Sequence, residues 1–163
     1  MNNNWFRRSR RRFLLDYHID SWNEEFLSKY DPDIYAEACF QSGATAATYM
    51  ANTHTGLLSW PSRLGGVMHP GLRGLDMLGA TINALHKRSL DAIVYYVFIY
   101  VQDYWNKHPE ARSVKADGTS ERHRINTVGN PRRFATCCFN NEEYRKFSLA
   151  ELAEICDNYD FEG

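Results

Sequence analysis

The sequence predicts an α/β chain in which parallel strands alternate with helices, and three observations predict it. Short apolar runs recur, at Phe13-Leu14-Leu15, at Ala44 to Met50, and at Ala92-Ile93-Val94-Tyr95-Tyr96-Val97-Phe98. Each leads into polar and aromatic residues: Tyr17-His18-Ile19-Asp20, then Asn52-Thr53-His54, then Tyr100-Val101-Gln102-Asp103. Helix-period segments stand between them. Strands that end in polar and aromatic groups, alternating with helices, are how a (β/α) barrel builds the mouth of an active site.

The elements follow in order. Residues 12–19 read as the first strand, and residues 23–30 as a short helix after turn chemistry at Asp20-Ser21-Trp22-Asn23. Asp31-Pro32 starts a helix, because aspartate caps free amides and proline loses nothing at the first position. Its buried face holds Ile34, Tyr35, Ala38 and Cys39, and Gly43 stops it. Residues 44–50 form the second strand, and residues 52–68 a long loop. Residues 75–90 are the clearest helix, with Leu75, Leu78, Ile82 and Leu85 at helical spacing and Lys87-Arg88 near the negative end. Residues 91–100 are nearly continuously apolar, as a parallel strand buried on both faces requires. Residues 103–133 are polar and irregular, the mark of a lid or excursion. Asn140-Asn141 cap a helix reaching Asn158, with Tyr144, Phe147, Leu152, Ile155 and Tyr159 as its stripe. Tyr159 to Gly163 begins a fourth strand.

A full (β/α)₈ barrel needs ~250 residues, so this chain supplies about three and a half of the eight units. The expectation is the N-terminal portion, about half, of such a barrel. Residues 1–11 form a basic arm, and residues 12–163 a partial catalytic domain broken off at the fourth strand.

Composition narrows the function. The 163 residues carry 44% hydrophobic and 24% charged side chains, enough for a sizeable core. A net charge of −1 argues against nucleic acid as a partner. The run Arg7-Arg8-Ser9-Arg10-Arg11-Arg12 reads as a solvated arm, not as a signal peptide. No run of ~18 apolar residues is present to span a membrane. Cys39, Cys137, Cys138 and Cys156 make no zinc-ligand spacing, and reduced thiols in a cytoplasmic protein are the expectation. Aromatics reach 14%, which suits either a packed core or stacking on sugar rings. No cofactor is called for.

His18 and Asp20 follow the first strand, and His54 follows the second, so the three converge if both strands open on one mouth. Read alone, they are sugar contacts, structural histidines, or ligands of a metal-dependent hydrolase. Trp60 stands six residues past His54, either stacking on a sugar or covering the rim. Tyr95 and Tyr96 point to opposite faces, so only one lines a barrel interior. Trp105 lies past the third strand.

The segment Asn52-Thr53-His54-Thr55-Gly56-Leu57-Leu58-Ser59-Trp60-Pro61-Ser62 resembles the "HHDGF…WPS" stretch of α-L-fucosidase-type glycoside hydrolases of family 29. It is also similar to the group called hypothetical glycosyl hydrolase 6. Asp16-Tyr17-His18, His69-Pro70-Gly71-Leu72, Val94-Tyr95-Tyr96, Thr136-Cys137-Cys138-Phe139-Asn140 and Tyr159-Asp160-Phe161-Glu162-Gly163 extend the likeness in order. The resemblance implies hydrolysis of an O-glycosidic bond in a carbohydrate substrate. It implies sugar binding by His18, His54, Trp60, Asp20, Tyr96, Trp105 and Asn140, with no metal. Thr53 stands where the family has a first histidine. The nucleophilic aspartate of the resembled family falls beyond Gly163, so the fragment alone is expected to be inactive. Other readings are a non-catalytic carbohydrate-binding module, or a half barrel that forms a homo-oligomer through its open edge.

Overall fold

The computed structural model describes residues 4–16, 23–53, 55–120, 122–123 and 134–163. His18, Asp20 and His54 lie outside the described residues. Strands β1 (Arg12–Leu14), β2 (Ala46–Met50) and β3 (Asp91–Tyr95) form one sheet in that order. Both pairings are parallel, with Leu14 opposite Thr48 and Thr48 opposite Ile93. The C-terminal ends of all three strands therefore share one rim. β3 is shorter than the apolar run predicts. Beyond Tyr95 its neighbour is a side chain: Val97 N donates to Asn52 Oδ1 (2.7 Å), and Asn52 Nδ2 donates to Val97 O (3.0 Å).

Strand alternation divides the sheet into two faces. Ala47, Tyr49, Ala51, Ala92 and Tyr96 belong to the main core on the helix side. On the other face Leu14 is 54% and Tyr95 47% exposed.

Helix α1 (Trp5–Arg8) precedes β1. The basic run is not a free arm. Arg8 pairs with Asp91, and the buried Ser9 hydroxyl donates to the same carboxylate. Burial pushes the Asp91 carboxyl up, but the Arg8 and Ser9 donors outweigh it and hold it below the usual range.

Helix α2 (Pro32–Gln41) begins where Asp31 Oδ1 accepts from Asp33 N (2.8 Å) and Ile34 N (3.2 Å). Its buried face is Tyr35, Ala36 and Cys39. Ile34 and Ala38 face solvent instead, so the predicted stripe is rotated by about one position. Helix α3 (Met77–Lys87) buries Leu78, Ile82 and Leu85 as the spacing predicts. Leu75 lies ahead of the helix and is exposed. Residues 24–29 are turns, not the short helix expected.

Among the described residues, the segment after β3 carries regular structure that its polarity hides. It holds α4 (Gln102–Lys107) and an antiparallel pair, β4 (Arg122–His123) with β5 (Phe134–Ala135). Helix α5 (Glu142–Asn158) is capped by Asn141, whose Oδ1 accepts from Tyr144 N (2.9 Å). It buries Tyr144 and Ile155, and also Ser148 and Glu151. Residues 159–163 form no strand, in contrast to the expected fourth one, though backbone bonds run alongside β3: Glu162 N donates to Ala92 O (3.0 Å) and Val94 N to Gly163 O (2.7 Å). Glu162 Oε2 also accepts from Ala92 N (2.8 Å), which fixes this carboxylate at the start of β3.

Asn52 is 1% exposed and replaces two backbone bonds at the rim. Asn52→Ala is expected to lower unfolding free energy by about 2 kcal/mol, because both partners on Val97 lose a buried bond. Urea denaturation checks it.

Candidate functional site

The rim is built from the loops that follow β2 and β3. After β2, Thr53 N donates to Leu57 O (2.8 Å) and Gly56 N to Thr53 O (2.8 Å). Thr53 Oγ1 accepts from Leu57 N (3.1 Å). Gly56 has φ +85°, and a Cβ there would stand 2.8 Å from Val101 Cα, so only glycine fits this approach. Gln102 N donates to Thr55 O (3.1 Å), which joins this turn to α4. Thr53 and Thr55, the neighbours of position 54, are both buried.

The loop is pinned again further along. Ser59 Oγ donates to Ala51 O (2.8 Å), while Ser59 O accepts from Met77 N and Leu78 N (3.0 Å each). One residue thus ties the end of β2 to the free amides at the start of α3. His69 Nδ1 accepts from Gly71 N (3.1 Å) and orders the Pro70–Leu72 turn, as expected.

The structure brings some of the sequence-derived site residues together and separates others. Trp60 is 1% exposed, with its Nε1–H on Glu154 Oε2 (3.1 Å) and its ring 6.5 Å from that of Tyr96. Its indole is therefore covered by protein. Tyr96 points to the helix side, and its hydroxyl donates to Glu151 Oε2 (2.5 Å). Tyr95 takes the open face. Trp105 is buried in a second cluster with Val101, Cys137 and Tyr144, and the Arg112 guanidinium lies 3.9 Å from its ring centre. Asn140 is exposed in the turn before α5. Burial pushes the Cys137 thiol up to about 11, so it is not an activated nucleophile. All four cysteines are free.

Two carboxylates were not singled out by sequence reasoning. Glu151 and Glu154 stand three residues apart on α5. Glu154 receives Trp60 Nε1 and Arg63 N (2.8 Å), so it holds the loop after β2. Glu151 holds the chain just past β3 through Tyr96. Burial opposes the charge on Glu154, but its donors prevail and keep its carboxyl below the usual range. The available signal was Glu151 itself, a charged residue four positions before Ile155 on the buried stripe.

Among the described residues, no group of three His, Cys, Asp or Glu could hold a metal ion. None of the described helices is long and apolar enough to cross a membrane.

Burial pushes Glu151 from 4.5 up to about 7, against the opposing Tyr96 hydroxyl and aided by the nearby Glu154 charge. Between those values the folded chain holds a proton that the unfolded chain releases. Stability from this group is full below pH ~4.5 and is lost as pH rises through ~7. The loss is on the order of 3 kcal/mol. Denaturation midpoints measured from pH 5 to 8 should show this fall, and Glu151→Gln should remove that part of it.

A sequence model of the family described as alpha-L-fucosidase matches residues 4–162. No curated protein matches the chain. Alpha-L-fucosidase isoenzyme 2 from Paenibacillus thiaminolyticus superposes with a TM-score of 0.79 at 20% identity, covering 94% of this chain and 22% of that one. Thermotoga maritima alpha-fucosidase, in complex with a mechanism-based inhibitor, gives 0.55 at 18% identity, covering 81% and 27%. The alpha-L-fucosidase GH29 from Bacteroides thetaiotaomicron gives 0.53 at 18% identity, covering 86% and 26%. The chain thus spans between 22% and 27% of the length of these structures. At such identities the superpositions show the shared fold. The sequence match, which runs almost from end to end, shows the family: this chain belongs to the alpha-L-fucosidase family.

Proposed function

We propose that this chain supplies part of the sugar-binding mouth of an α-L-fucosidase-like glycoside hydrolase, on an N-terminal portion of a (β/α)₈ barrel. The observation that carries this reading is positional. His18 and His54 each follow by four residues the end of a strand, β1 at Leu14 and β2 at Met50, and the two strands are parallel neighbours. His18 and His54 then bond sugar hydroxyls, and Asp20 accepts from one. Trp60 and Tyr96, both buried, back the rim, while Trp105 and Asn140 belong to its margin. The open face with Leu14 and Tyr95 is the inner wall of the barrel.

Retaining hydrolysis needs a nucleophile and an acid/base, both carboxyl groups. Glu162 is fixed at the start of β3, on the rim opposite the proposed mouth. Asp160, two residues earlier, lines a cavity with Asp91 and Thr45 at that same end. Neither is assigned to catalysis. On this reading the 163-residue polypeptide is expected to bind the sugar without cleaving it.

Calorimetry with L-fucose on the purified chain tests the binding, and an aryl α-L-fucoside tests turnover. His18→Ala and His54→Ala should each weaken binding about tenfold, since each removes a hydrogen bond to the ligand. Turnover by the 163-residue chain, or binding indifferent to both substitutions, contradicts the reading.

A second reading is favoured by the edge. Leu14 (54%) and Leu15 (45%) are exposed on and beside β1, which has no neighbour on its far side among the described residues. An edge of this kind invites pairing with a second copy. Sedimentation distinguishes the two: a monodisperse dimer supports a paired half-barrel module, and a monomer removes it.

A further inference from the structure

We propose that the closed turn of residues 5–12 is a docking surface for an acidic polysaccharide, a flexible glycan chain carrying sulfate or carboxylate groups. Arginine occupies positions 7, 8, 10, 11 and 12, while the whole chain has a net charge of −1. Positive charge is therefore gathered at one place on an otherwise acidic molecule.

The turn is fixed from within and from below. Ser9 N donates to Trp5 O (2.8 Å). The Arg12 guanidinium donates to Phe6 O (2.6 Å) and, through Nε, to Ser9 O (2.9 Å). It also lies over the Phe6 ring, 4.0 Å from its centre. Beneath, Arg8 and Ser9 are held by Asp91. Arg11 N donates to Thr45 Oγ1 (3.2 Å), and Arg11 O accepts from Thr45 N (2.8 Å). Arg7, Arg10 and Arg11 stay exposed, and among the described residues their guanidinium groups pair with no carboxylate. The carboxylates nearby are engaged, Asp91 by Arg8 and Ser9, and Glu162 by His86 (3.1 Å) and Ala92 N (2.8 Å). Asp160 shares a cavity with Arg8 and bounds the patch on that side.

These features select the class of partner. A guanidinium presents a planar fork that matches carboxylate and other oxyanions, and a backbone already fixed lowers the ordering cost of binding. Phe6 is 61% exposed within the turn and offers a ring to the carbon face of a sugar. A bilayer is a poorer fit, because one ring with a face under Arg12 gives little apolar area to insert. A duplex nucleic acid is a poorer fit as well, because its broad anionic surface would meet the acidic remainder of the chain. A flexible strand need touch only the turn. The choice of a glycan over other flexible polyanions rests on the proposed function. The place does not: Thr45 and Asp91 stand at the N-terminal ends of β2 and β3, on the rim opposite the proposed mouth.

Calorimetry on the purified chain tests the surface with dextran sulfate, polygalacturonate and unsulfated dextran. Vesicles of phosphatidylcholine and phosphatidylserine in equal parts, single-stranded DNA and duplex DNA complete the set. The acidic glycans should bind and unsulfated dextran should not. The logarithm of the binding constant should fall with the logarithm of salt concentration at a slope of about −2, as for three contacts on a single flexible strand. Replacing Arg7, Arg10 and Arg11 together by alanine should weaken binding about tenfold or more and flatten that slope. Replacing the three by lysine keeps the charge and should restore most of the slope, with a loss of about threefold. Neither variant should alter the response to L-fucose. Equal binding of unsulfated dextran, a slope near zero, or affinity unchanged in the alanine variant would overturn the proposal. So would tighter binding of the vesicles or of either DNA than of both acidic glycans. If L-fucose fails to bind while the acidic glycans bind as expected, the mouth is removed and this surface is supported.

Discussion

The parallel pairing of β2 with both β1 and β3 is the constraint from which the rest of the structure follows. Parallel neighbours cannot be joined by a tight turn, so each connection must cross back over the sheet, and a helix is the usual way. That places α2 and α3 on one side, where Ala47, Tyr49 and Ala92 pack against Tyr35, Leu78 and Leu85. It also sends every strand end to the same rim. Small residues at Ala46 and Ala47 let the central strand be fully buried, while Asn52 carries the β2–β3 pairing one step past the last regular residue.

Helix α5 converts that rim into a fixed frame. Glu154 grips the loop after β2 through Trp60 and Arg63, and Glu151 grips the chain after β3 through Tyr96. One rigid element therefore sets the relative height of two loops. The cost is a carboxyl in the core, which burial drives toward its protonated form. At the opposite end of the sheet, Asp91 gathers Arg8 and Ser9, and Glu162 gathers His86 (3.1 Å) and Ala92 N. The charged cluster there is internally paired, consistent with a structural end and a functional end on opposite rims.

The framework was largely legible in the residues. Asp31-Pro32, the Leu78-Ile82-Leu85 spacing and Asn141 each marked a helix that forms, because capping and periodicity act locally. The misses have physical causes. The arginine run looked solvated because the partner of Arg8 lies 83 positions away, at Asp91. α4 was hidden because Gln102, Asp103 and Asn106 weaken its apolar pattern, while its one buried side chain, Trp105, packs against the distant Cys137 and Tyr144. Alternation showed that Tyr95 and Tyr96 must diverge, yet not which way. Only the packing of Tyr96 under α5 decides that. For Trp60 the sequence left stacking on a sugar and covering the rim both open, because an aromatic after a strand end suits either, and the acceptor that draws it inward, Glu154, is 94 positions distant.

The account rests on the strand ends of β1 and β2 forming one sugar-binding opening. A crystal structure of the chain soaked with L-fucose measures this most directly. The account predicts the ring between His18 and His54, at the C-terminal ends of the strands. The sugar bound instead at the Asp91 and Glu162 end, or the two imidazoles found on opposite rims, would contradict it.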